Sequence, residues 1–148
     1  MARIRNILYP SDFSTASRRA FTTAMAMAAS NGAALTILHV IVPIVPLLPE
    51  QAFDSATWQR VDTLVRRRGH EQLTRLATRA RKAGIRASTL LMEGDPAQHI
   101  VRASRSTKAD LLVMGTHGRR GFSKFFLGSV AERVIATAQC PVVTVRGR

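Results

Sequence analysis

Two glycine-containing segments in the last third of the chain have the composition of a phosphate-binding loop. Gly115 and Gly118 are separated by two residues, and Gly128 directly precedes Ser129. Because glycine has no Cβ, backbone amides beside it can approach an anion closely. If a helix begins at Gly128 and Ser129, its free amides and positive dipole end attract anionic oxygens, and Ser129 can act as N-cap or donate its hydroxyl. Two tight turns followed by an ordinary capped helix would give the same pattern.

Charged residues near these segments are also consistent with phosphate binding. Arg119 follows Gly118 directly, and Arg120 and Lys124 follow it. Guanidinium groups match phosphate oxygens, although these residues are equally typical of a solvated loop. Asp12 is the only acid in the segment after the first predicted strand, where it can bind ribose or adenine or cap the next helix.

The sequence contains no recognisable catalytic or metal-binding set. It has neither G-x-x-x-x-G-K-[ST] nor a G-x-G-x-x-G after the first strand, which excludes two common phosphate motifs. His117 has no second residue at triad or metal-ligand spacing, so we expect no catalytic role for it. His39 lies within an apolar strand and is predicted to be a hydrogen-bonded core residue.

Hydrophobic periodicity predicts five strands alternating with helices. The predicted strands are Ile4–Tyr9, Ala34–Val40, Ile85–Met92, Leu111–Met114 and Val142–Val145. The predicted helices run from Asp12 or Ser14 to Asn31, from Ala52 to Ala83 with a possible interruption at Gly69, from Pro96 to Ser106, and from Ser129 to Ala138. Residues 41–50, rich in proline, are predicted to be a loop.

This alternation favours an α/β fold, a parallel sheet with helices on both faces. In such a sheet ligands bind at the carboxyl ends of the strands, where the strand order reverses. The loops after the first and fourth strands, 10–14 and 115–128, are therefore the candidate site. In the second helix, Val61, Leu64, Val65, Leu73, Leu76 and Ala80 are predicted to face the core.

Length and composition limit the interpretation further. The 148 residues suit a single domain spanning 1–148, and one cysteine is consistent with a reducing, cytoplasmic location. No segment has the length and apolarity of a membrane span. The net charge of +13, mostly from arginine, indicates an anionic partner (nucleotide, nucleic acid or anionic membrane) or simply arginine-rich solvated faces.

The glycine spacing and its flanks resemble the ATP-binding signature of the universal stress protein family. The pattern Gly115-x-x-Gly118, nine residues, then Gly128-Ser129 is accompanied, in order, by ILYPSDFS, LHV, LLVMGTHGRRG and GSVAERV…CPVVTVR. The similarity covers the chain except for about residues 42–63. The glycine spacing together with four flanking segments in the same order indicates the family far more specifically than the spacing or any one segment alone.

The resemblance implies a Rossmann-like, adenine nucleotide alpha hydrolase-like fold with an open five-stranded sheet of order 3-2-1-4-5. It also implies ATP, with magnesium as its usual companion, as the ligand. The binding residues that it implies are Pro10, Ser11, Asp12, Val40, Met114, Gly115, Gly118, Arg119, Gly128, Ser129 and Val130. Family dimers commonly pair through the last strand, here Val142–Val145, so a homodimer is expected.

Three functions remain open from the sequence. The preferred one is an ATP-binding, nucleotide-responsive regulatory module in stress response, because no catalytic set accompanies the glycines. The alternative is a slow ATPase or phosphotransferase, with Asp12 as the one acid placed near the ligand. The third is non-specific nucleic-acid binding driven by charge, which neither a recognition motif nor interleaved aromatic residues support.

Overall fold

The computed structural model describes residues 2–43, 54–116 and 128–147. Its strands are β1 Asn6–Pro10, β2 Ala34–Ile41, β3 Ala87–Glu93, β4 Leu111–Gly115 and β5 Val142–Val145. Its helices are α1 Thr15–Asn31, α2 Ser55–Lys82, α3 Pro96–Ser106 and α4 Ser129–Thr137. Each of the predicted elements is present, and its ends differ from the prediction by at most three residues.

The strands form one parallel sheet in the order β3-β2-β1-β4-β5. This confirms the predicted fold class and strand order. β1 lies between β2 and β4, with Tyr9 opposite Ile37 and Ile7 opposite Leu111. After β1 the chain adds β2 and β3 on one side of it, and then crosses back to add β4 and β5 on the other side. The strand order therefore reverses between β1 and β4, and the loops that follow these two strands are neighbours.

Alternate residues of the central strands supply two separate cores. Tyr9 and Ile37 pack with Phe21 of α1 and Leu73 of α2 on one face of the sheet. The adjacent residues, Leu8 and Leu38 among them, face the other way and pack with Ile100 of α3 and Val134 of α4. Each of these large side chains contributes roughly 1.5–3 kcal/mol when fully buried. Burial on both faces explains why these strands are apolar throughout.

Side chains cap three of the four helices that the structure describes. Ser14, not Asp12, is the N-cap of α1, and its hydroxyl accepts a hydrogen bond from the Ser17 amide at 3.2 Å. Asp54 caps α2, and Asp95, followed by Pro96, caps α3 as predicted. α1 ends at Gly32, whose φ of +63° is the left-handed conformation that glycine adopts without strain.

α2 is one continuous helix whose buried residues all lie from Gly69 onward. It runs through Gly69 without interruption, because the missing side chain lets the helix approach the sheet: a Cβ there would lie 3.0 Å from Leu91 Cδ1 and 3.5 Å from His39 Cδ2. Leu91 lies two residues before the end of β3. The part of α2 before Gly69 therefore extends roughly 15 Å past the carboxyl edge of the sheet. For this reason the prediction that Leu64 faces the core is wrong, and it is 60% exposed.

The predicted proline-rich loop lies mostly outside the residues that the structure describes. In the described ranges, no helix combines the length and apolarity that crossing a membrane requires.

Asp110 joins the loop before β4 to the start of β1. Its Oδ2 accepts hydrogen bonds from the amides of Arg5 at 2.8 Å and Asn6 at 2.9 Å, and these bonds lower the pKa of its carboxyl. A lowered pKa in the folded state means that the carboxylate stabilises the fold above its unfolded pKa of about 3.9, and that this is lost as the pH falls through the lower folded value.

We expect Asp110→Asn, which keeps an acceptor oxygen but removes the charge, to lower the free energy of unfolding by about 1 kcal/mol at pH 7. The difference from the wild type should shrink below pH 4 and vanish at still lower pH. Urea denaturation of both proteins from pH 7 to pH 3 measures this. A difference independent of pH would show that the charge on Asp110 is not what stabilises the contact.

Candidate functional site

A cavity of about 740 Å³ opens at the carboxyl edge of the sheet. It lies where the strand order reverses between β1 and β4. The loop after β1, the ends of β2 and β4, the first turn of α4, the first turn of α3 and one side of α2 form its walls. Ligands of α/β proteins bind at this position in the fold.

The structure brings together nine of the eleven residues predicted to form the site. The residues that line the cavity are Pro10, Ser11, Asp12, Val40, Met114, Gly115, Gly128, Ser129 and Val130. The other two, Gly118 and Arg119, lie outside the described residues, as does His117. The lining residues come from three separate parts of the chain, and it is the β1–β4 pairing that makes them neighbours.

The loop after β1 is held by hydrogen bonds within itself and to β2. The Ser11 amide donates to Leu38 O at 2.8 Å, and Ser11 Oγ accepts from the Phe13 amide at 3.1 Å. Asp12 Oδ1 accepts from the Ser14 amide at 2.9 Å. Phe13 has a φ of +62°, a conformation that bulky residues rarely adopt. These bonds fix where the Asp12 carboxylate stands at the cavity, so one side chain can both shape the turn and meet a ligand.

His39 lies at the cavity instead of deep in the core. Its Nδ1 is 2.7 Å from Ser11 O, and its ring lies 4.4 Å from the Phe13 ring, centre to centre. Since a carbonyl oxygen only accepts, we assign a proton to Nδ1. The prediction that His39 is hydrogen-bonded is correct, but the prediction of a core position is wrong, because this side chain is only half-buried and lines the cavity.

Gly115 is required by packing, whatever its backbone binds. A Cβ on this residue would lie 3.0 Å from the carbonyl carbon of Ala16, 3.1 Å from the Ala16 oxygen and 3.1 Å from the Ser17 amide nitrogen. These are backbone atoms of the first turn of α1, which cannot rotate away. The glycine thus allows α1 to lie against the end of β4, a reason that differs from the anion approach inferred from the sequence.

The beginning of α4 is the most unusual part of the cavity wall. Its N-cap is Gly128, with φ −57° and ψ 147°, and no side chain among the described residues caps it. The prediction of Ser129 as N-cap is therefore wrong, because Ser129 is already the first helical residue. The Gly128 amide donates to Thr116 O at 2.5 Å, and the first backbone bond inside the helix runs from the Glu132 amide to Gly128 O at 3.0 Å.

These bonds leave three amides of α4, those of Ser129, Val130 and Ala131, without an acceptor among the residues that the structure describes. All three residues line the cavity. The corresponding ends of α1, α2 and α3 are each capped by a side chain. Unbonded amides together with roughly half a positive charge from the helix dipole make this wall attractive to anions.

One face of α2 supplies a wall that the sequence did not predict. Val65, Arg68, Gly69 and Gln72 line the cavity at helical spacing. The amphipathic pattern placed Val65 on the apolar side, but nothing in the sequence indicated that this part of α2 extends past the sheet. Arg68 is exposed and makes no ion pair with a described residue. It therefore adds a positive charge to this wall.

Buried Tyr9 joins β1 to Ser17 of α1, one of the residues that line the cavity. Tyr9 lies at the end of β1, and its hydroxyl donates to Ser17 O at 2.6 Å. Burial raises the pKa of Tyr9, so the phenol stays neutral and keeps this hydrogen bond.

The structure shows no candidate metal site in the described ranges, because no three His, Cys, Asp or Glu side chains there lie close enough together to hold a metal ion.

Comparison with known sequences identifies the family. The model of the universal stress protein family matches residues 3–146. The chain belongs to the universal stress protein family. Among its curated relatives, a universal stress protein of Thermus aquaticus is 37% identical over 142 residues, which cover 96% of this chain and 98% of the relative. The universal stress protein MJ0531 of Methanocaldococcus jannaschii is 36% identical over 144 residues, covering 96% and 82% respectively.

Solved structures show the same universal stress protein fold. The hypothetical protein MJ0577 of Methanocaldococcus jannaschii superposes with a TM-score of 0.85 at 23% identity, covering 98% of this chain and 97% of the other. A universal stress protein in complex with cAMP superposes with a TM-score of 0.71 at 24% identity, covering 99% and 100%. The universal stress protein of Archaeoglobus fulgidus in complex with dAMP gives 0.62 at 21% identity, covering 98% and 99%.

Proposed function

We propose that this universal stress protein binds ATP in the carboxyl-edge cavity and acts as a nucleotide-responsive regulatory module in stress response. The observation that carries the proposal is the first turn of α4, where Ser129, Val130 and Ala131 line the cavity and their amides have no acceptor among the described residues. In the proposed complex the phosphates bind at this turn. The adenosine lies between the loop after β1 and the ends of β2 and β4.

Electrostatics support the phosphate end of this proposal. Hydrogen bonds to a charged group are worth about 1.5–3 kcal/mol each, against about 1 kcal/mol for neutral pairs. The amides are already fixed by the helix, so binding an anion costs them little conformational entropy. Arg68 on the opposite wall adds a positive charge, and the chain as a whole carries +13. The amides of α4, the charge of Arg68 and the net charge of the chain all favour a polyanionic ligand.

The remaining walls suit an adenosine. Leu38, Val40, Ile100 and Met114 give the cavity apolar surfaces, and Ser11 and Asp12 add polar groups beside them. A volume of about 740 Å³ lies within the range of roughly 300–1,000 Å³ that is typical of small-molecule sites. Two solved proteins of this fold were determined with cAMP and with dAMP. The fold therefore accommodates adenine nucleotides, and this supports the choice of base.

Magnesium enters the proposal only as the companion of ATP. Phosphate oxygens bind Mg²⁺ together with one or two carboxylates in many nucleotide sites. Asp12 is the cavity-lining carboxylate in the described part of the chain. We therefore assign no dedicated metal site, and we expect the nucleotide to bring the ion.

The proposal also includes a cytoplasmic homodimer joined through β5. This strand lies at one end of the sheet order and pairs with β4 on one side only within the described chain. A strand edge that offers backbone donors and acceptors is suited to pairing with a second copy, which would cover it. Sedimentation equilibrium tests the oligomeric state independently of nucleotide binding.

Isothermal titration calorimetry tests the proposed ligand. We expect one ATP to bind per chain, with an affinity at least tenfold higher than that of adenosine, because adenosine lacks the groups that α4 would hold. Equal affinities for ATP and adenosine would show that α4 does not bind the phosphates. No heat and no protection against thermal unfolding at millimolar ATP would contradict the proposed function itself.

Asp12 is predicted to contribute to nucleotide affinity beyond its role in the turn. Asp12→Asn keeps the oxygen that accepts from the Ser14 amide but removes the negative charge. We expect ATP affinity to fall about tenfold, as for the loss of one hydrogen bond to a charged group. Calorimetric titration measures it, and Asp62→Asn on the exposed side of α2 is the control. Unchanged affinity in Asp12→Asn would limit Asp12 to a structural role.

A further inference from the structure

Among the described residues, the edge of the sheet opposite the cavity carries most of the positive charge that no acid compensates. All five strands begin at this edge and all four helices end there, because every helix runs antiparallel to the strands it connects. The basic residues in the segments at this edge are Arg3, Arg5, Arg79, Arg81, Lys82, Arg86, Arg105 and Lys108, and all are exposed. We call these residues the amino-edge face.

Acidic residues are almost absent from this face in the described part of the chain. Asp110 is the one acid in these segments, and its Oδ2 is already engaged by two backbone amides. The ion pairs of the described chain lie toward the other edge, and they are Arg66–Asp62, Arg66–Glu93, Arg67–Glu71 and Arg133–Asp95. Of the remaining acids, only Glu50 falls outside the described residues.

Contacts within the fold do not neutralise the amino-edge face. The guanidinium of Arg81 donates to Ala87 O and that of Arg86 to Gly32 O, both uncharged acceptors. Arg79 lies over the Phe21 ring, 5.3 Å from its centre. The carboxyl ends of four helices add roughly half a negative charge each, which offsets only about two of the eight cations. A large excess of positive charge therefore faces solvent.

We propose that the amino-edge face binds the phosphate backbone of duplex nucleic acid without sequence specificity. This surface is distinct from the nucleotide cavity, and the proposal does not depend on ATP binding. Arg5 precedes β1 and Arg86 precedes β3, so two strand spacings, about 10 Å, separate their backbones. A duplex presents about six phosphate charges over that length. Guanidinium groups can bind phosphate oxygens through two parallel hydrogen bonds.

The uncharged residues of the face favour a duplex over a membrane or a single strand. Its segments contain no aromatic residue on which an unpaired base could stack. Its two large aliphatic side chains, Ile4 and Ile85, are half-buried and buried, so neither can insert into lipid. A surface with positive charge but no side chains for base stacking or lipid insertion is typical of binding to a phosphate backbone.

Two variants with the same charge change test this proposal. The first replaces Arg3, Lys82, Arg105 and Lys108 by Glu, since these exposed side chains make no hydrogen bond or ion pair with a described residue. The control replaces Arg18, Arg19, Arg60 and Arg146 by Glu, at exposed positions toward the other edge. Each replacement changes the charge by two, so both variants fall from +13 to +5. Circular dichroism and thermal melting establish that both are folded.

Fluorescence anisotropy with a 20-base-pair DNA duplex, titrated at several salt concentrations, gives the readout. We expect the amino-edge variant to bind at least tenfold more weakly than the wild type and its log K against log[salt] slope to become shallower by about 3–4, since four phosphate contacts are lost. We expect the control to stay within threefold, and saturating ATP to leave wild-type DNA binding unchanged.

Two results would overturn the proposal. Equal weakening in both variants, or no measurable wild-type binding at 50 mM salt, would show that no particular face recognises the duplex. Binding to vesicles of phosphatidylglycerol and phosphatidylcholine that exceeds duplex binding at equal phosphate concentration, and that the amino-edge variant loses, would assign the face to an anionic membrane instead.

Discussion

Replacement of Ser129 by proline is expected to weaken ATP binding about ten- to hundredfold while leaving the fold intact, because one charge-assisted hydrogen bond is lost. Ser129 is the first residue of α4, where proline is well tolerated in helices. Gly128 before it has φ −57° and ψ 147°, the extended conformation that a residue before proline prefers. The substitution therefore removes one amide donor and the hydroxyl from the cavity without a need for backbone movement.

Ser129→Ala separates these two groups. It removes the hydroxyl and keeps the amide, so we expect it to weaken ATP binding less than Ser129→Pro does. Calorimetric titration of ATP and of adenosine against both variants gives the comparison, and adenosine affinity should be the same in all three proteins. If Ser129→Pro binds ATP like the wild type and melts at the same temperature, the amide of Ser129 does not hold a phosphate.

The second large effect concerns stability. Gly115→Val should lower the free energy of unfolding by about 3 kcal/mol, because its side chain would overlap backbone atoms of α1 that have no alternative rotamer. For a domain of this length such a loss lowers the melting temperature by roughly 6–12 °C. Differential scanning calorimetry measures it. The expected clash is with Ala16 C and O and the Ser17 amide, at 3.0–3.1 Å from a single added carbon.

Two further variants show whether this explanation is correct. Gly115→Ala adds only the first carbon and should destabilise less than Gly115→Val. Adding Ala16→Gly should not rescue Gly115→Val, because the colliding atoms of Ala16 belong to its backbone. A Gly115→Val protein as stable as the wild type would show that α1 can move away from β4. Since unfolding also abolishes binding, Ser129 is a better position than Gly115 for testing the phosphate site.

The sequence predicted the fold well because its signals are local or belong to the family as a whole. Strands such as Leu111–Gly115 are short apolar runs between turn residues, and Asp95-Pro96 is a strong helix-start signal. The strand order came from the resemblance. It placed the loops after β1 and β4 side by side, and nine predicted site residues do line one cavity.

Features that depend on how elements meet were not predictable. The periodicity of α2 placed Leu64 on its apolar face, but it cannot indicate where along the helix the sheet ends. For the same reason Arg68 and Gln72 were missed as cavity residues. Ser129 looked like an N-cap by residue type, whereas the backbone of Gly128, bonded to Thr116 O, takes that position.

The distribution of charge over the surface was likewise not predictable from the sequence. The composition gives +13, which is consistent with an ordinary solvated surface as well as with a binding surface. Only the parallel topology brings the starts of the strands and the ends of the helices to one edge. It thereby gathers basic residues from several distant segments, from Arg3 to Lys108, on one face and separates them from the ion-paired residues at the other.

The backbone amides of α4 provide the most direct test of the proposed nucleotide site. In ¹H–¹⁵N correlation spectra of the labelled protein, saturating ATP should shift the amide protons of Ser129, Val130 and Ala131 downfield, as new hydrogen bonds to phosphate form. Adenosine should shift residues of the loop after β1 but leave these three amides in place. If ATP binding saturates while all three remain unshifted, α4 does not bind the phosphates and the account is contradicted.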